Sequence, residues 1–392
     1  MKVALVCPAS LPATQFGGIM FLCVDIAREL AKKGHEVVIF TTDLDFANNA
    51  KTFNKKLPRL EKINNFTINR THVYFAFQLF FVNPGIYFQM KKYKPDIIHT
   101  VGVRSFQSFM AALLSKKYNI PLVISDQGGL TTHPDIQGRI KKIIYKIQNP
   151  MIKFIINQAI KISVANEYEK QIFTHFEVES KVIIIRNGID LDTVKKNQIN
   201  FKEKYSIQEN FILFVGRFNK VKGIDILLKS WASIKNDPET NNVKLVIMGV
   251  DFGFEYEMIK MINDLKIENI VLVIKKPPRE DVIAAYDACE FLVLPSRWEL
   301  SPLTPLEGFA FKKAVISTDT HGIPFTITKN ENSILVESEN PTSLASAIKE
   351  LLKNKQKCIE YGLAGYRMVH EFCTSKVMGE NTLKIYQQIL NK

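Results

Sequence analysis

Short apolar runs alternate with segments of helical period along the chain, and the alternation restarts at mid-length. Lys2–Cys7, Glu36–Thr41, Asp96–Val101 and Leu122–Ser125 read as short buried strands. Phe21–Lys33 has apolar residues at 22, 26, 27 and 30, a helical face that Gly34 closes. A second helical stretch runs from Phe106 to Tyr118. The later half repeats the scheme with strands at Phe211–Val215, Lys244–Met248, Ile270–Ile274, Phe291–Leu294 and Ala314–Ser317. Its helices are expected at Gly223–Ser233, Glu255–Leu265, Val282–Ala288 and Pro305–Phe311. A βαβ rhythm requires parallel sheets covered by helices on both faces. The expected fold class is therefore α/β with two doubly wound units. The polar stretch Lys195–Lys204 marks the boundary, so the domains are 1–196 and 197–375, with a last helix at 376–392.

At 392 residues each half can bury its own core. A hydrophobic share of 46% with 23% charged residues excludes a disordered chain, a collagen-like fibre and a disulfide scaffold. The five cysteines form no CxxC pair and are odd in number, which reads as reduced thiols in a cytoplasmic protein. The most apolar stretch, Val73–Phe88, is short and broken by Pro84-Gly85, so it is not expected to span a bilayer. The N-terminal apolar run stops at Pro8 and reads as a first strand rather than a leader.

Ligands of doubly wound sheets bind beyond the carboxyl ends of the strands. Three sequences stand there. Phe16-Gly17-Gly18-Ile19 follows the first strand, where glycines admit close approach of a ligand and a helix start offers amides to an anion. It is not GxGxxG, and a plain tight turn explains it equally well. GRFNKVKG, residues 216–223, places Arg217 and Lys222 after a strand, a pairing that suits a diphosphate. Glu299 and Glu307 bracket a loop and a helix start, with Thr304 as the expected N-cap and Glu307 in the first turn. A carboxylate there accepts both hydroxyls of a ribose, although first-turn carboxylates also arise from the helix dipole alone.

The ordered set resembles the retaining GT-B glycosyltransferases of family four. It comprises the early GGI with LAKKGHEVVIFTT, RNGIDL at 186–191, GRFNKVKG, MGVDFG, YDACEFLVLPS, the spacing of Glu299 to Glu307 and AVISTDTHGIP. The resemblance covers roughly residues 3–352. It implies two Rossmann-like domains facing a cleft. The first would bind the acceptor, with the last helix packing back on it, and the second a nucleotide-diphosphate sugar. By the same resemblance Arg217 and Lys222 grip the diphosphate, and Glu307 holds the ribose. Glu299 approaches the donor sugar as a catalytic group. Backbone around Ser301, Pro302 and Leu303 contacts that sugar, and Gly17 and Gly18 approach the phosphates.

Such a site stabilises the departing diphosphate with fixed cations and helix-end amides, so no metal and no other cofactor is expected. Asp43-Leu44-Asp45 and Asp190-Leu191-Asp192 imitate a DxD metal motif, but a turn or helix cap explains the first and the RNGIDL context the second, and two bare carboxylates rarely make a dedicated magnesium site. His99 ends a strand and reads either as a polar contact to the reacting sugar or as a satisfied histidine. The chain departs from the family at Val101, Asp126-Gln127-Gly128-Gly129, Lys275, His321-Gly322 and Phe325, which bear on acceptor and sugar rather than fold.

Charge is uneven. Residues 1–196 hold 27 basic and 15 acidic side chains, the remainder 25 and 24. Only 10 of the 52 basic residues are Arg, which argues against nucleic acid as a partner. Residues 136–166 carry six basic groups and no acid, and residues 46–95 carry nine with Glu61 alone. Ile140, Ile143, Ile144 and Ile147 share a helical face, and Asn149-Pro150 starts a further helix. An anionic membrane surface fits this, as does an ordinary core helix with a solvated face. The expected function is transfer of a hexosyl group with retention to a saccharide or lipid-linked acceptor, by a cytoplasmic protein peripheral to the membrane. The alternatives are another GT-B enzyme, an epimerase or phosphorylase, and a non-catalytic sugar-nucleotide-binding protein.

Overall fold

The computed structural model describes residues 1–45, 52–77, 80–128, 130, 139–194 and 199–391. The chain divides into two units, 1–188 with 375–392, and 189–374. The division falls ahead of the polar stretch 195–204, of which residues 195–198 lie outside the described residues.

Unit 1 contains β1 (Lys2–Val6), α1 (Gly18–Lys32), β2 (Glu36–Thr42), β3 (Leu44–Asp45), β4 (Thr52–Phe53), β5 (Leu60–Ile63) and β6 (Phe66–Thr71). It continues with β7 (Phe75–Phe77), β8 (Phe80–Val82), α2 (Gly85–Tyr93), β9 (Ile97–Val101), α3 (Phe106–Tyr118) and β10 (Leu122–Ser125). Then follow α4 (Arg139–Gln158), β11 (Lys161–Val164), α5 (Glu167–Ile172) and β12 (Val182–Ile184). The main sheet runs β12-β11-β10-β9-β1-β2-β6-β5, parallel except for β5. Its order reverses between β1 and β9, because β1 pairs with β2 on one side and β9 on the other. Strand alternation sorts side chains between two helical layers. Ala4, Val6, Val38, Phe40 and Ile98 pack with α2, α3 and α4. His99, level with Leu5, points the other way.

Unit 2 contains α6 (Leu191–Val194), α7 (Phe201–Lys204), β13 (Asn210–Val215), α8 (Ile224–Ser233), β14 (Val243–Gly249) and α9 (Glu255–Asp264). It goes on with β15 (Val271–Lys275), α10 (Arg279–Ala288), β16 (Leu292–Leu294), α11 (Leu303–Ala310), β17 (Val315–Thr318) and β18 (Ser333–Val336). Two helices close it, α12 (Pro341–Lys353) and α13 (Lys355–Phe372). Its sheet runs β15-β14-β13-β16-β17-β18, all parallel, and reverses between β13 and β16. Phe211–Phe214 and Leu245–Met248 are fully buried because helices cover both faces. The last helix, α14 (Ser375–Leu390), returns to unit 1 and packs on α1.

Some expectations need correction. α11 starts at Leu303 with Pro302 as its N-cap, so Thr304 is not the cap and Glu307 lies in the second turn. Pro305 fits there because the first amides of a helix have no intrahelical partner to lose. Pro150 does not begin a new helix but stands inside α4, which forgoes one hydrogen bond. α10 begins at Arg279, ahead of Val282, and adds a polar Arg-Glu turn that apolar period does not mark.

Candidate functional site

The loops at the carboxyl ends of the unit 2 strands converge where the sheet order reverses, between β13 and β16. The first is Gly216–Gly223. Asn219 caps a short turn by accepting from the Lys222 amide at 3.2 Å. Gly223 then takes φ +68°, and a Cβ on it would lie 1.9 Å from the Pro295 carbonyl oxygen. Only glycine lets the β13 loop sit against the β16 loop at this distance. The Arg297 amide donates to the Val221 carbonyl at 2.7 Å, a second tie between the same loops.

This apposition brings three expected residues together. The Lys222 ammonium pairs with Glu299 Oε1, which also accepts from Ser296 Oγ at 3.2 Å. Arg217 lies within the field of the Glu299 carboxylate, and its guanidinium stands 5.0 Å from the centre of the Phe252 ring. Glu307 has partners of its own. Arg279 Nη2 donates to its Oε1 at 2.5 Å, and the buried Tyr286 hydroxyl donates to its Oε2 at 2.7 Å. Ser301, Pro302 and Leu303 form the entry to α11, and the Gly322 amide donates to the Glu299 carbonyl at 3.0 Å.

Arg297 was not anticipated. Its guanidinium forks Asp225 at 2.6 and 2.8 Å, meets Glu339, and donates to the Lys220 carbonyl at 2.5 Å. Hydrogen bonding to Asp225, with Glu339 next, raises its pKa further above the ordinary arginine range. It thereby locks both loops to α8. Its signal in the sequence was position alone, one residue past Ser296. Arg279 and Tyr286 gave no signal, because they reach Glu307 only when α10 packs beside α11.

In unit 1, Gly17 is the N-cap of α1 with φ +104°, and a Cβ there would meet nothing within 4 Å. Gly18 is the first residue of α1. His99 does not lie open at a strand end, as a contact to the reacting sugar requires. It is 1% exposed, with Nδ1 at 2.5 Å from the Tyr386 hydroxyl and Nε2 at 2.7 Å from Ser125 Oγ. Burial lowers its pKa to about 3, so the ring is neutral. Both nitrogens are spent on joining β9 to α14 and β10.

Asp43 accepts from His72 Nδ1 at 2.5 Å and from the Val73 amide at 3.1 Å, and Asp45 accepts from Asn54 Nδ2 at 3.1 Å. Asp190 accepts the Asp192 amide at 2.9 Å. Among the described residues no three His, Cys, Asp or Glu gather as a metal site. All five cysteines are free thiols. Of the departures from the family pattern, Lys275 pairs with Glu255 at 2.7 Å, and Gly129 lies outside the described residues.

Two family models match the chain. One, glycosyltransferase family 4, covers residues 16–193, and the other, glycosyl transferases group 1, covers residues 195–368. The chain belongs to the group 1 glycosyltransferases. An uncharacterised glycosyltransferase of Methanocaldococcus jannaschii is 27% identical over 78% of this chain and 82% of its own length. A D-inositol 3-phosphate glycosyltransferase of Corynebacterium glutamicum is 22% identical over 92% of this chain and 91% of its own. Among solved structures, a sucrose-phosphate synthase from Thermosynechococcus elongatus superposes with a TM-score of 0.81. It covers all of this chain and 99% of its own at 19% identity. Anabaena HepE in complex with UDP-glucose gives 0.77, over 99% of this chain and all of its own, at 16% identity. The expected α/β class with two Rossmann-like units of GT-B type holds for this glycosyltransferase.

Proposed function

We propose that the protein transfers a hexosyl group, with retention, from a nucleotide-diphosphate sugar to a hydroxyl of a saccharide or lipid-linked acceptor. The observation that carries this reading is the joining of Lys222, Arg217 and Glu299 where the unit 2 sheet reverses. Switch points of doubly wound sheets are where nucleotides bind. HepE, of the same fold, has been crystallised with UDP-glucose, which supports a sugar nucleotide as donor.

In this reading Arg217 and Lys222 hold the diphosphate, and Glu307, fixed by Arg279 and Tyr286, accepts the ribose hydroxyls. Glu299 orients the donor sugar, with backbone at Ser301, Pro302 and Leu303 beside it. Unit 1 binds the acceptor, and Gly17 and Gly18 at the start of its α1 are suited to close approach by an anion. As the glycosyl–phosphate bond breaks, negative charge grows on the leaving diphosphate. Fixed cations stabilise that charge without reorganising. Lys222 then exchanges its Glu299 partner for phosphate oxygen, and the freed carboxylate turns to sugar hydroxyls. His99 holds β9 to α14 and takes no chemical step.

We further propose attachment at the anionic face of a membrane, where a lipid-linked acceptor in polysaccharide or glycolipid synthesis resides. Among the described residues no helix is long and apolar enough to cross a membrane. The test is a thermal-shift screen of nucleotide sugars, followed by turnover of the best donor with membrane extract and analysis of the product's anomeric configuration. Transfer with the donor's configuration kept is expected. Inversion overturns retention, an isomerised free sugar nucleotide makes the protein an epimerase, and binding without turnover makes it a non-catalytic sugar-nucleotide-binding protein.

A further inference from the structure

One helical layer of unit 1 carries lysines without carboxylates. Helices α2, α3 and α4 contain no Asp or Glu, and their described side chains include six lysines, Lys91, Lys92, Lys116, Lys117, Lys146 and Lys153. The opposite layer is balanced by pairing. On α1 Arg28 meets Asp25 at 2.7 Å and Lys32 meets Glu29 at 2.8 Å, and Glu380 of α14 meets Lys33 at 3.2 Å. Ordinary composition bias toward lysine would charge both layers. The side chains of residues 139–145 and all of residues 136–138 lie outside the described residues, so Arg139, Ile140, Lys141, Lys142, Ile143 and Ile144 contribute nothing here.

The same layer exposes apolar rings. Phe88 on α2 is 65% exposed, one turn before Lys91 and Lys92. Lys91 and Lys117 each stand 5.9 Å from the ring centre of Tyr118, itself 42% exposed at the end of α3. Every residue of β7 is exposed, including Phe75 at 61% and Phe77 at 46%. The β7–β8 hairpin belongs to this layer, because Phe80 packs edge-on against Phe106 at the start of α3. Ile147 on α4 is 72% exposed between Lys146 and Lys153. Solvent alone does not reward several exposed aromatic rings among cations. A bilayer does: rings enter the headgroup boundary, lysine stems lie along it, and ammonium groups meet phosphates. Nucleic-acid faces use arginine forks, whereas the described basic side chains of this layer are lysines apart from Arg104, which donates to Gln148.

We propose that the α2–α3–α4 face, with the β7–β8 hairpin, docks on a lipid bilayer bearing anionic headgroups. This rests on the membrane attachment proposed above and names the surface that makes it. The test is flotation of the full chain with phosphatidylcholine vesicles, with and without phosphatidylglycerol. Co-flotation is expected only with phosphatidylglycerol, and to weaken with salt. Lys91→Ala with Lys92→Ala is expected to lower the partition coefficient roughly 30-fold. Phe75→Ser with Phe77→Ser is expected to weaken it with all charges kept. Should that hairpin variant misfold, Lys146→Ala with Lys153→Ala probes the same face from α4. Equal flotation on neutral vesicles, none at all, or variants that float like the parent overturn the proposal. So does tighter binding to RNA or heparin than to vesicles. Donor turnover is measured alongside: turnover without flotation removes the docking face alone, and flotation without turnover removes the transferase reading alone.

Discussion

Gly223→Ala tests whether the apposition of two loops makes the site. The added Cβ would start 1.9 Å from the Pro295 carbonyl oxygen, whereas real Cβ atoms essentially never come within 3.0 Å. The loops must therefore part by about 1 Å, a misplacement that costs an enzyme about 100-fold. The left-handed φ of +68° adds about 1–2 kcal/mol of backbone strain. For a unit of this size that is a fall in Tm of about 2–8 °C. Gly253→Ala separates the two effects. Gly253 also has positive φ, at +92°, but a Cβ there meets nothing within 4 Å. It is expected to lose comparable stability and to keep near-parental turnover. The assay is release of nucleoside diphosphate from the preferred donor, with thermal melts of both variants. Turnover of Gly223→Ala within threefold of the parent, with Tm lowered as expected, would refute the claim that close seating of these loops sets catalytic geometry.

Further outcomes are expected at particular residues. Lys222→Ala should lower kcat by about 100-fold or more, as loss of one charge-stabilising donor does, and should shift Tm little, since the Glu299 pair it breaks is partly exposed. Arg297→Ala should destabilise unit 2 by about 3 kcal/mol in chemical denaturation, because it leaves Asp225 buried without its fork, and Arg297→Lys should recover little of it. Glu169 is buried, and loss of solvation with the nearby charge of Asp126 raises its pKa to about 7. Its folded pKa lies above the unfolded value, so its stabilising share is complete below about pH 4.5 and is lost as pH rises toward 7. Glu169→Gln should flatten that decline, gaining stability over the parent at pH 8 relative to pH 5 in urea melts.

Much of this was legible in the residues. The strands FILFV and FLVL and the helix Phe106–Tyr118 were plain because continuous apolar runs and helical period need only local sequence. Lys222 and Glu299 were legible as strand-end residues, though not that they touch across 77 positions. The small strands β3, β4, β7, β8 and β12 were missed, since two- and three-residue strands carry no periodic signal, and the longer β5, β6, β11 and β18 were missed as well.

The amino-acid order by itself determined the alternation of strand and helix, and with it two parallel sheets whose loops gather at one edge. Hydrophobic period is a property of neighbours in the chain, so no folding is needed to read it. Tertiary structure alone decided the partners: Arg279 and Tyr286 on Glu307, Arg297 between two carboxylates, His99 sealed by Tyr386 from the last helix. It also set lysines of α2, α3 and α4 in one layer with exposed aromatic rings. Hydrogen bonds and charges act across space over a few ångströms, and which residues fall within that reach is set by how helices pack on a sheet, not by their separation along the chain.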